Sequence, residues 1–207
     1  GGQYRVQVDA PPIRPGQLVN IHASLHPSAA TSLPPGLTSF DSSATLQFKQ
    51  TISGGVESLR LESNTSGEDA EGNRVFAIRQ HLDWAFDTVA AVVTASLALV
   101  VDVPQPQVLA PQLATLGALN LTGQVQVSTD GQTLTVNSGG FKASVAGVER
   151  VVLDLKRNMT LGGEPAPSDD LLDVTLTALP LEWLNPWLAD QWCIDSQVPV
   201  SCALSVA

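Results

Sequence analysis

The chain is short of positive charge, aromatic side chains, cysteine and long apolar runs, and each shortage excludes something. Its 207 residues carry 10 Lys and Arg against 20 Asp and Glu, a formal net charge of −10. The basic residues are scattered, so the concentrated positive charge that releases counterions from a phosphate backbone is missing, and nucleic acid is excluded as a partner. An anionic membrane surface is disfavoured for the same reason. The longest apolar run, TVAAVVTASLALVV between Asp87 and Asp102, falls short of the roughly twenty residues that a spanning helix needs. With Thr94 and Ser96 inside it, that run reads as a buried strand. The opening GGQYRVQVDAPP has neither the basic start nor the apolar stretch of a secretory leader, which places any leader outside this sequence.

Reactive side chains are equally sparse. The two cysteines, Cys193 and Cys202, would form a disulfide if paired across a hairpin or short loop, implying an oxidising compartment. The alternative is two buried reduced thiols. His22 and His26 share one strand face at i and i+4, but neither they nor His81 stand at a metal-ligand spacing from the cysteines. Asp41, Asp83 and Asp87 are the carboxylates to note near His81, and they read as edge-strand charges that discourage aggregation. Glu68, Asp69 and Glu71 lack the alternating spacing of a calcium loop, and Asn64–Asn73 reads as a polar exposed turn. No nucleophile elbow, P-loop, dinucleotide fingerprint or HExxH motif occurs. No enzymatic activity, metal or cofactor is expected.

What the chain has in quantity is Val, Thr, Leu, Ala and Ser, punctuated by 16 Gly and 14 Pro, a composition of strands and turns. It also repeats. NIHASLHP, LALVVDVP and DVTLTALP end in Pro27, Pro104 and Pro180, which stand 77 and 76 residues apart. Each proline leads into an apolar, proline-broken connector, and each connector into an alternating strand: SSATLQF, LTGQVQV and VSCALSV. Ala44, Gly123 and Cys202 in those strands are 79 and 79 apart. Within a unit, VESLRLES and GQTLTVNS alternate apolar with polar as half-buried strands do. They follow turns at Ser53–Gly55 and at Asp130-Gly131, the latter a two-residue hairpin signal.

The expected fold is therefore all-β: a repeated antiparallel meander forming one long curved sheet, with a short apolar helix or connector per repeat. Residues 1–207 make one elongated domain, with unit one at 22–100, unit two at 101–178 and the start of unit three at 179–207. Because the third copy is cut off in its first strand, the chain is expected to be a piece of a longer one. Strand alternation puts Leu46, Phe48, Leu59, Leu61, Val125, Val127, Leu134, Val136, Leu153 and Leu155 on one face. Gln47, Arg60, Gln124, Gln126, Thr135 and Asp154 fall on the other. In the third connector, Asn185 and Pro186 form a helix start, with a short helix from about Pro186 to Trp192; Trp183, Trp187 and Trp192 lie in or beside it.

The segment VPQPQVLAPQLATLGALNLTGQVQVSTDGQTLTVNSGGF, Val103–Phe141, together with LPLEWLNPWLADQW, Leu179–Trp192, resembles the AsmA-like family and within it the TamB type of periplasmic protein. Pro104, Pro111, Leu116, Gly123, Val125, Val127, Gly131, Leu134 and Val136 carry the likeness; unit one follows it more loosely, with Ala44 in place of the strand glycine. The resemblance implies an open apolar groove, a β-taco, lined by the ten residues named above. It implies carriage of phospholipid acyl chains between inner and outer membranes, an outer-membrane barrel partner, a role in outer-membrane protein assembly with nascent polypeptide as a second cargo, and anchorage in the inner membrane. The three tryptophans would then sit at a lip of the groove, and a truncated trough would self-associate. Two other classes remain open: a structural β-sandwich module of a bacterial surface or adhesin protein, without ligand, and a carbohydrate-binding sandwich that stacks sugars on the tryptophans.

Overall fold

The computed structural model describes residues 4–27, 33, 35–53, 55–161, 171–179 and 200–206. Among these residues twelve strands follow in chain order: β1 (Tyr4–Asp9), β2 (Leu18–Pro27), β3 (Ser39–Gln50), β4 (Val56–Glu68), β5 (Arg74–Asp87), β6 (Val92–Val103), β7 (Leu119–Thr129), β8 (Leu134–Val145), β9 (Val148–Leu155), β10 (Met159–Leu161), β11 (Leu172–Leu179) and β12 (Val200–Val206). All belong to one antiparallel sheet whose spatial order repeats the chain order, except that the short β10 turns back to pair with β8. The fold is all-β, as its composition requires, and it is an open meander running from β1 to β12.

β3 to β6 are four consecutive strands between the first two connectors, and β7, β8, β9 and β11 are the four that follow in the sheet. Antiparallel alternation makes β2, β6 and β11 end at the same end of the sheet, so the three connectors that follow them all leave from there. Helix is confined, among the described residues, to the second connector: α1 (Pro106–Leu109) and a 3-10 turn at Pro111–Leu113. Each starts on a proline, whose missing N–H costs nothing at a first helical position. The expected helix at Pro186–Trp192, the three tryptophans of that connector and Cys193 lie outside the described residues, and the disulfide with them.

Four sequence expectations need correction. Asn64–Asn73 is not a loop, because β4 continues to Glu68 and the turn is only Asp69–Asn73. Thr65 pairs with Ser42 and Ile78, and Gly67 leaves room for the Phe76 ring: a Cβ there would lie 2.6 Å from Phe76 Cε1. The turn at Asp130-Gly131 has four residues, Asp130–Thr133, because the Asp130 carboxylate accepts the N–H groups of Gln132 and Thr133 and closes the longer loop. The apolar run before Asp102 is not a buried strand. Thr88–Ala91 is a turn with Val89 95% exposed, and Leu97 in β6 is 43% exposed, since among the described residues no second layer lies over it. Finally, β3 and β5 are interior strands, so Asp41, Asp83 and Asp87 do not guard an edge.

Burial is concentrated at a few places. The buried apolar side chains are Val19, Leu37, Val75, Ala77 and Val145 among the described residues, with Pro106 of α1. Most lie at the connector end, where α1 packs on β5 and Leu37 sits against Gly67, its Cδ2 3.2 Å from where a Cβ would stand. That end is further tied by hydrogen bonds: Thr38 donates its N–H to Glu68 O and its hydroxyl to Asp69 O, and Gln105 Nε2 donates to Asp69 Oδ2. Two successive connectors thus hold the same β4–β5 turn.

Candidate functional site

The strand register decides which side chains share a face. One row of cross-strand partners runs Ile21, Leu46, Leu61, Leu82, Leu97, Val125. The next runs Val19, Phe48, Leu59, Trp84, Ala95, Val127, Val136. Leu153 stands opposite Phe141 and Val174, and Leu155 opposite Leu172. All ten residues singled out by alternation, Leu46, Phe48, Leu59, Leu61, Val125, Val127, Leu134, Val136, Leu153 and Leu155, point to this one face.

A β-bulge is needed to keep them there. In β8 the apolar positions change parity, from Leu134 and Val136 to Gly139, Phe141, Ala143 and Val145. Val127 pairs with Val136 while Gln126 pairs with Ser138, so Asn137 is the extra residue that absorbs the change. Its Nδ2 donates to Ser128 Oγ at 3.0 Å.

The opposite face is polar. Arg60 stands between Gln47 and Asp83, Gln126 opposite Ser96, Gln124 opposite Gly140, Asp154 opposite Gly140 and Asp173, and Thr135 opposite Ser128. Its ion pairs are cross-strand and exposed: Lys49 with Glu57, Arg60 with Asp83, Lys142 with Glu149. His81 lies 2.6 Å from Asp83 Oδ2 and 3.5 Å from Glu62, His26 is 2.7 Å from Asp41, and His22 meets Thr45. Among the described residues no group of three or more His, Cys, Asp or Glu is placed to hold a metal ion.

Four carboxyls are held below their ordinary range by the chain around them. Asp83 is lowered chiefly by the hydrogen bond from Arg60, Asp87 by the N–H groups of Ala90 and Val89, and Asp130 by those of Thr133 and Gln132. At Asp69 partial burial pushes the other way, but hydrogen bonds from Asn73, Gln105 and Glu71 outweigh it. Both Asp69 oxygens are thus occupied by N–H donors, which explains the acidic segment as a turn-former and not a calcium loop. A carboxyl lowered on folding contributes stability above its unfolded pKa and loses it as pH falls through the folded value. Asp69→Asn is therefore expected to lower Tm at pH 7, with the gap to the native chain closing below about pH 4; a gap that persists unchanged at pH 3 would refute the assignment.

No family model, curated protein or solved structure matches the chain. The site must be judged on its own geometry: an extended apolar sheet face, mostly half-exposed, backed by a polar one. Alternation had located only part of it. Ile21, Leu82, Trp84, Leu97, Phe141 and Val174 belong to the same face and were legible from the same parity. Alternation also overlooked Ser42, Ser63, Thr65 and Gln80, which sit on the apolar face although they are polar. The signal was present in the same period-two pattern, as polar residues in apolar positions of β3, β4 and β5.

Proposed function

We propose that this chain is a segment of an AsmA-like, TamB-type periplasmic protein whose long sheet curls into a trough and shields phospholipid acyl chains between the inner and outer membranes. The observation that carries the reading is the asymmetry of the sheet: a row of Ile21, Leu46, Leu61, Leu82, Leu97 and Val125 with no covering layer among the described residues, Leu97 being 43% exposed, and charged ladders behind it. An acyl chain needs a dry, continuous surface and few hydrogen bonds, each buried methylene contributing about 0.8 kcal/mol. Exposed apolar area on this scale marks an interaction surface. The native twist of a long sheet supplies the curl. Support for outer-membrane assembly, a barrel partner and inner-membrane anchorage comes from the sequence resemblance, and an oxidising compartment would allow a disulfide between Cys193 and Cys202.

A ligand-free sandwich of the adhesin kind is the competing reading. It requires a second sheet about 10 Å from the first, whereas the described strands all join one sheet. The test is native mass spectrometry of the protein purified from a Gram-negative periplasm, with lipid analysis of an organic extract. The native chain is expected to carry phospholipid. Val125→Asp, on the apolar face, is expected to lose most of it while keeping a strand-type circular dichroism spectrum, and Gln126→Asp, one residue on and on the polar face, to retain it. A lipid-free, folded native chain would overturn the proposal.

A further inference from the structure

On the apolar face between β2 and β11, the polar side chains among the described residues are Ser42, Gln50, Ser63, Thr65, Gln80 and Thr129. Gln50 and Thr129 are at strand ends, but the other four adjoin one another across β3, β4 and β5. Ser42 pairs with Thr65 and Ser63 with Gln80, while Ser63 and Thr65 are two apart in β4. The Ser42 and Thr65 hydroxyls share a hydrogen bond of 2.8 Å, and Ser63 Oγ donates to Gln80 Oε1 at 3.4 Å. A hydroxyl pair that spends one hydrogen internally keeps the other to give outward, and the Gln80 amide keeps two. Around the block are Leu25, Leu61, Ile78, Leu82 and Leu99, and among the described residues no charged side chain pairs with any of its members.

Resting on the lipid reading above, we propose that this block seats the ester end of an acyl lipid. Its donors are neutral, which suits an uncharged acceptor; a phosphate would call for Arg or Lys. The apolar row leaving Gln80 runs Leu99, Gly123, Phe141, Leu153, Val174. At a strand spacing of about 4.8 Å, these five steps cover roughly 24 Å, enough for an extended long-chain acyl group with its carbonyl at Gln80. The block thus fixes where along the trough a lipid pauses, and the acyl chain lies over the second repeat.

The experiment compares diacyl phosphatidylcholine with its dialkyl-ether analogue of the same chain length, which lacks only the ester carbonyls, by their affinity for the purified protein. The native chain is expected to bind the ester lipid roughly three- to tenfold more tightly, the discrimination that one hydrogen bond to a neutral acceptor supplies. In the double variant Thr65→Val, Gln80→Met the preference is expected to vanish through weaker ester binding, with the ether lipid held as before. Equal affinity of the native chain for the two lipids would overturn the seat and leave the lipid reading standing; this comparison needs no variant to fold. Binding of neither lipid, including the case in which a denatured outer-membrane polypeptide binds instead, would overturn both.

Discussion

Leu37→Ala is expected to destabilise the fold by roughly 2–4 kcal/mol, the range for truncating a well-buried leucine whose surroundings relax only in part. Leu37 is 9% exposed and lies against Gly67 beside the Phe76 ring. The same truncation at Leu97, 43% exposed in the middle of the apolar face, is expected to cost about 1 kcal/mol or less, since much of its surface is already in water. Chemical denaturation of the two variants checks the contrast. Equal losses would mean that the sheet face is covered after all, and would undercut the trough. The ranking is unusual for a strand protein, because a central position matters less to stability than one in a connector. It follows from a sheet whose buried side chains, among the described residues, lie mostly at one end.

Much of this arrangement was legible from period-two alternation. In β3, β4 and β7 the apolar parity is uninterrupted, and the residues it groups do share a face. The ends of β2 and β6 were legible because Pro27 closes the one and Pro104 follows the other where the chain leaves the sheet, and proline cannot donate to a ladder. Other features depend on partners that the sequence does not display. The bulge at Asn137 is set by Val127 and Gln126 on the neighbouring strand. The extension of β4 through Ser66 and Gly67 is fixed by β3 and β5 on either side, which overrides the loop-like composition of that stretch. The polar block is a two-dimensional object: each of Ser42, Ser63, Thr65 and Gln80 alone looks like an ordinary interruption, and only the register gathers them.

Gly36→Ala is expected to cost roughly 2–4 kcal/mol for two separable reasons. Gly36 has φ +88°, where a side chain costs about 1 kcal/mol or more. A Cβ there would also stand 2.6 Å from Val108 Cγ1, and forcing extra volume into such a contact typically costs 1–3 kcal/mol. Val108→Ala in the same chain is expected to recover the second part and not the first, so the double variant should be more stable than Gly36→Ala alone yet short of Val108→Ala alone. Thermal melts of the four chains form the cycle; if Val108→Ala gives no recovery, the contact between the two residues is absent. What the cycle measures is the coupling between two connectors. Gly36 belongs to the first connector and Val108 to the second, so the contact is where one lies on the other. In a stacked array stability is a sum of unit terms and nearest-neighbour terms. A single sheet offers few neighbour terms beyond the strand ladder, so contacts between the connectors at its end add to them.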